Sequence, residues 1–170
     1  MIWKKHLDFL LQKTASYGNK PLLIKGIFPY DFNFYKETLY GVHCSNMFHF
    51  LSGQETYEVL KKIHESLMPG GKLYINTCSI YFHSFKHLFS YFVKKFRDGS
   101  DWPGEINNAH LQSLASPDRL PNFIHVHNKV SMIKILKRIG FKINKSFYCD
   151  LKPKAYASEN KGVLAIIAEK

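Results

Sequence analysis

Histidine is the side chain here most able to change charge near neutral pH, because its ordinary pKa lies between about 5 and 8. His83 and His87 stand at i, i+4 and would share one face of a helix, while His125 and His127 stand at i, i+2 and would share one face of a strand. Either pair could offer two ring nitrogens to a metal ion. A zinc site needs further ligands, and the sequence has no HExxH or CxxC spacing and no carboxylate placed as a third ligand. The pairs therefore read as surface or core histidines, and no metal is expected. Cys44, Cys78 and Cys149 are odd in number and widely separated, which fits buried thiols in a reducing, cytoplasmic setting better than a disulfide framework. No phosphate-binding GxxxxGK[ST], no GxSxG and no supported Cys-His arrangement is present.

The chain has 24 Lys and Arg against 13 Asp and Glu, a formal charge of +11. Such a balance can serve nucleic acid or an acidic ligand, yet no Lys/Arg run exceeds two residues, so a basic nucleic-acid-binding domain is the weakest of the readings. The longest apolar run, Val163 to Ala168, falls far short of the roughly 20 residues of a membrane span. At the N-terminus Asp8 interrupts the apolar residues and no small-residue cleavage site follows, which argues against a secretory signal.

The elements that would position these residues follow from periodicity. Leu7, Leu10, Leu11 and Thr14 predict a helix over 4–14, and PLLIKGIF, Pro21 to Phe28, predicts a short strand. A second strand is expected over Leu39 to Ser45. Ser52 and Glu55 spell a capping box, from which a helix with Tyr57, Leu60, Ile63, His64 and Leu67 runs to Pro69-Gly70-Gly71 and hands over to a strand, Lys72 to Thr77. Phe82, Phe85, Phe89, Phe92 and Phe96 recur every three or four residues and predict one amphipathic helix with its phenylalanines packed inward. Residues 98–128, with Gly99, Pro103, Gly104, Pro117 and Pro121, read as a long ordered loop. Met132, Ile135, Leu136 and Ile139 mark a helix closed by Gly140, and Phe141 to Cys149 and Gly162 to Glu169 are the last strands, the final one buried in the sheet interior. The length of 170 residues suits one α/β domain.

Three segments in this order, YGVHCSNMFHFLSGQE at 40–55, LKKIHESLMPGGKLYI at 60–75 and GFKINKSFY with GVLAIIAEK near the end, resemble class I S-adenosylmethionine-dependent methyltransferases. The resemblance covers roughly residues 20–80 and 128–170 and corresponds to the C-terminal two-thirds of such an enzyme. It implies a Rossmann-like α/β sheet ending in an antiparallel strand pair, with ligands at the carboxyl ends of the strands. It also implies a small-molecule acceptor and S-adenosylmethionine as cofactor, with Cys44, Ser45, Asn46 and Met47 passing its methionine end. His49, Tyr81 and His83 stand where a group taking the acceptor's proton would sit. The stretch 80–128, including Trp102, would form an insertion over the substrate side.

The departures bear on activity. The family's opening strand with its Gly-rich turn, and the following strand ending in an acid for the ribose hydroxyls, have no counterpart in this sequence. Ile27 stands where an acid often lies beside the adenine, and Tyr40 where another acid is common. In the family the strand order is 3-2-1-4-5-7-6, so a truncated sheet would leave the strand carrying Val42 at a bare edge, open to a homodimer or to a partner segment. These departures predict weak or absent cofactor binding by this chain, and admit a non-catalytic remnant or interaction module as the alternative function.

Overall fold

A computed structural model of the chain describes residues 2–18, 22–109, 121–150 and 160–170. Two compact units are separable, residues 1–33 and residues 34–170. In the first unit the expected helix forms as α1, Ile2–Thr14. The strand expected over Pro21 to Phe28 does not form in its described part, and Leu22 is 84% exposed. β-rich sequence needs a neighbouring strand, and here the polar backbone turns on itself. The Ile27 N–H donates to the Asp31 carboxylate at 2.7 Å, and the Tyr30 and Asp31 N–H groups both donate to the Ile27 carbonyl at 2.8 Å.

The second unit is built on a four-stranded sheet. Its strands are β1, Leu39–Ser45; β2, Leu67–Cys78; β5, Lys142–Cys149; and β6, Val163–Glu169, in the order β1-β2-β6-β5. β1 runs parallel to β2, and β6 is antiparallel to both of its neighbours. This is the order that the resemblance gives for the second half of its sheet. Leu164, Ile166 and Ala168 of β6 are buried, as their unbroken apolar run requires.

Helix α2, Gly53–Ser66, opens on the expected capping box: Glu55 N–H donates to the Ser52 hydroxyl, and the Ser52 N–H donates to the Glu55 carboxylate at 2.8 Å. It buries Val59, Leu60 and Ile63. The helix stops at Ser66 rather than at Pro69, because a residue before proline is disfavoured in helical conformation and Met68 precedes Pro69. β2 consequently begins at Leu67, five residues earlier than its apolar pattern indicates. Gly70 has φ +76°, and its N–H donates to the Lys170 carbonyl at 3.0 Å, which ties the turn to the end of β6. Helix α4, Lys129–Ile139, is capped by Asn128 and ends on Gly140 at φ 119°.

Between β2 and α4 lies the aromatic insertion. It is not one helix: a 3-10 helix, His83–Leu88, precedes α3, Phe89–Arg97. Phe85 and Phe92 are buried with Ile80, Ile106, Ile124 and Val126, while Phe89 is 40% exposed, against expectation. Residues advance by about 120° in a 3-10 helix and about 100° in an α-helix, so the junction turns Phe89 roughly 100° away from Phe85. The long loop is also partly ordered as a ribbon, β3 (Glu105–Asn107) antiparallel to β4 (Phe123–His125). Beyond β4 the His127 N–H donates to the Cys78 carbonyl at 3.0 Å, and Ile80 N–H donates to the His127 carbonyl at 2.9 Å. These bonds fasten the ribbon to the carboxyl end of β2.

Candidate functional site

The loop that leaves the carboxyl end of β1 is held in one conformation by β2. Asn46 has φ 53°, a left-handed conformation that asparagine tolerates better than most residues. Its N–H is shared between the Asn76 carbonyl at 3.0 Å and the Asn76 side-chain oxygen at 2.9 Å. Cys44 is buried, and burial pushes its thiol up to about 12, so it stays protonated and unreactive. Ser45 and Asn46 are exposed and Met47 half-buried. A short 3-10 helix, Phe48–Phe50, follows, anchored by the fully buried Phe48.

His49 projects from this turn. Its ring lies 4.1 Å from that of Phe50, its Nδ1 is buried without a hydrogen-bond partner, and burial lowers its pKa to about 4. It is therefore neutral at pH 7. His125 and His127, whose i, i+2 spacing raised the question of a metal, sit beneath the same turn with rings 4.1 Å apart. His125 Nδ1 lies 3.1 Å from the Leu51 carbonyl and His127 Nε2 lies 3.3 Å from the Phe48 carbonyl. A carbonyl only accepts, so these ring nitrogens carry the protons, and the two imidazoles act as neutral donors that pin the turn to the ribbon. Burial lowers His125 to about 4 and His127 well below the ordinary value, and the neighbouring histidine adds to the latter shift. Trp102 packs edge-on against His125 at 5.8 Å, and the Gly53 N–H at the start of α2 donates to Glu105 at 2.7 Å.

The other two candidates stand elsewhere. Tyr81 belongs to an aromatic group with Phe89 at 5.6 Å and Tyr148 at 5.2 Å, with the Lys161 ammonium over its ring at 5.7 Å. His83 is exposed on the 3-10 helix, and the three-residue turn there takes it and the exposed His87 off a common face. Among the described residues, no group of three or more His, Cys, Asp or Glu side chains could hold a metal ion. No described helix is long and apolar enough to cross a membrane.

The Asn46 clamp went unseen in the sequence, and the His125–His127 pair was read as sharing a strand face without its role being foreseen. The Asn46 clamp joins residues 30 positions apart and leaves no local pattern. The histidine pair had a signal in FIHVH, where apolar residues alternate with histidines, but it stood in a stretch whose prolines and glycines read as a loop.

S-adenosylmethionine, which the resemblance implies, can be tested against this geometry. The loop offers exposed Ser45 and Asn46 and a fixed backbone, and Cys44 to Leu51 contains no carboxylate for ribose hydroxyls. The described residues fit one end of the cofactor and not the whole of it.

Neither a family model nor a curated protein sequence matches the chain. Solved structures do. A methyltransferase from Methanosarcina mazei is similar at 15% identity, over 94% of this chain and 74% of that one, with a TM-score of 0.64. An S-adenosylmethionine-dependent methyltransferase from Mesorhizobium loti gives 13% identity over 93% and 73% of the two chains, TM-score 0.58. Magnesium protoporphyrin IX methyltransferase from Synechocystis, determined with S-adenosylhomocysteine bound, gives 14% identity over 100% and 59%, TM-score 0.54.

Proposed function

From a fold shared with class I S-adenosylmethionine-dependent methyltransferases, we infer that this chain carries the acceptor side of a methyl transfer to a small molecule. The observation that supports this reading most is the clamped loop Ser45–Met47 at the carboxyl end of the parallel pair β1–β2, the place where open α/β sheets receive ligands. The cofactor supplies an electrophilic methyl group on a sulfonium. What the chain's own residues do is orient: Asn76 fixes the loop backbone, and His125 and His127 fix the turn that carries His49. His49, uncharged at neutral pH, keeps an unprotonated ring nitrogen with which to accept a proton or a hydrogen bond from the acceptor. The aromatic insertion with Trp102 covers the acceptor.

Acting alone, this chain holds the cofactor weakly and transfers no methyl groups, because one clamped loop supplies a fraction of the usual contacts. A backbone amide NMR titration with S-adenosylhomocysteine at millimolar concentration tests the location. Shifts centred on Ser45, Asn46, Met47 and Asn76 are expected. Unmoved resonances there would defeat the reading and favour the second, an interaction module without catalysis. One observation speaks for that second reading: among the described residues β1 pairs with β2 alone, which leaves its other backbone edge for a partner strand or a second copy.

A further inference from the structure

The Phe48–Phe50 turn and the start of α2 meet the β3–β4 ribbon along a seam fastened by three polar side chains and one ring. Across it His125 and His127 donate to the Leu51 and Phe48 carbonyls, and Glu105 accepts from the Gly53 N–H. The Trp102 ring rests on Gly53 so closely that a Cβ there would meet it at 1.9 Å. Both imidazoles are 2–4% exposed, so a charge on either has no water, and among the described residues neither has a carboxylate within ion-pair distance. The charged groups that face them are Glu105 on β3 and Lys95 on α3, which act on His125 in opposite directions, with His49 on the turn itself. The ribbon is a sheet of its own with three residues in each strand, and its Ile106, Ile124 and Val126 pack with Phe85 and Phe92 of the insertion. A two-stranded ribbon is marginal by itself, so the seam is where it is held.

We propose that this seam is an acid-released latch: protons on His125 and His127 part the ribbon from the Phe48–Phe50 turn while the four-stranded sheet stays folded. Two imidazolium rings 4.1 Å apart repel each other, and burial denies them water, so both protons are taken up only when the rings reach solvent. Burial holds His125 at about 4 and His127 well below its ordinary value, so the parted form takes up protons first as pH falls. At pH 5 a histidine of ordinary pKa about 6.5 that reaches water favours the parted form by about thirtyfold, and two by about a thousandfold. Re-exposing the one fully buried side chain of the turn, Phe48, opposes this by about tenfold to a hundredfold, so protonation prevails. The core of the four-stranded sheet, Leu73, Ile75, Leu164 and Ile166, is apolar and has nothing to titrate in this range. The latch itself needs no methyl transfer; its consequence, control of access to the turn that carries His49, rests on the methyl-transfer reading.

Trp102 reports the state of the seam. Trp3→Phe removes the other indole, and the full chain is acidified from about pH 8 to about pH 4 while acrylamide quenching of Trp102 and far-ultraviolet circular dichroism are followed. The quenching constant is expected to rise by about twofold or more, at least about half a pH unit before ellipticity is lost, the mark of a parted but folded state. His125→Asn and His127→Gln place an amide N–H near the donating Nδ1 and Nε2 and do not titrate. The double variant is expected to keep the parent ellipticity at neutral pH and to lose the early transition, and each single variant to move it toward acid by about half a unit or more. If the double variant fails to fold, the single variants carry the comparison. None of these readouts involves S-adenosylhomocysteine, so failure of the methyl-transfer reading leaves them unchanged. Quenching and ellipticity that change together in the parent chain, or an early transition unmoved by either single substitution, would overturn the proposal.

Discussion

β1 and β6 are both seven-residue strands of the same sheet, and they live in opposite surroundings. β6 is paired on both sides and buries Leu164, Ile166 and Ala168, whereas β1 pairs on one side among the described residues and leaves Tyr40 81% exposed. The same sheet thus has a load of apolar contacts at its middle and a polar, open margin at the end of β1, where Ser45 and Asn46 stand. Apolar burial is concentrated in the first, and the proposed ligand contact lies at the second, a division that substitutions can test.

The largest expected effect is at the centre. Leu164→Ala, at a fully buried position, should cost about 2–5 kcal/mol in urea denaturation, and Val42→Ala on half-buried β1 about 1 kcal/mol. Equal losses would erase the distinction between the two strands. Next comes pH. The folded-state pKa of His125 lies at about 4, below its ordinary value, so the unfolded chain takes up the proton first as pH falls. Stability from this neutral imidazole is complete above about pH 6.5 and declines toward pH 4, with a loss of about 2 kcal/mol between pH 7 and 5. His49 and His127 shift in the same direction and add to the decline. Unfolding free energies from urea denaturation at the two pH values should converge in His125→Gln by about that amount, and an unchanged pH dependence would remove His125 as a cause. The smallest effect is local: Ser52→Ala should cost about 1 kcal/mol through loss of the capping box at α2.

What could be read beforehand follows the same division. VLAIIA, the Ser52–Glu55 box and the Gly140 cap are local patterns with a local physical cause, and each element formed where its pattern stood. PLLIKGIF has the composition of a strand, but a strand is completed by a neighbour, and composition does not supply one. The spacing of the five phenylalanines was genuine; the change of helical pitch at Leu88–Phe89 was not encoded in it. β3 and β4 are three residues each, too short for alternation to show. At the candidate site, the resemblance named His49 and Cys44 to Met47 but not the contacts around them. The contacts that hold them, from Asn76, His125 and His127, span 30 to 79 residues along the chain.

The central claim is that this chain presents a fragment of the cofactor's surroundings: one clamped loop at the end of β1. A Gly-rich turn and a ribose-binding acid would each contribute charge-assisted or close backbone hydrogen bonds of roughly 1.5–3 kcal/mol, and two such bonds amount to about a thousandfold in affinity. Titration calorimetry of this chain with S-adenosylhomocysteine measures the consequence. A dissociation constant of about a millimolar or weaker is expected, and one at or below about ten micromolar would show that residues outside the Cys44–Met47 loop rebuild the site.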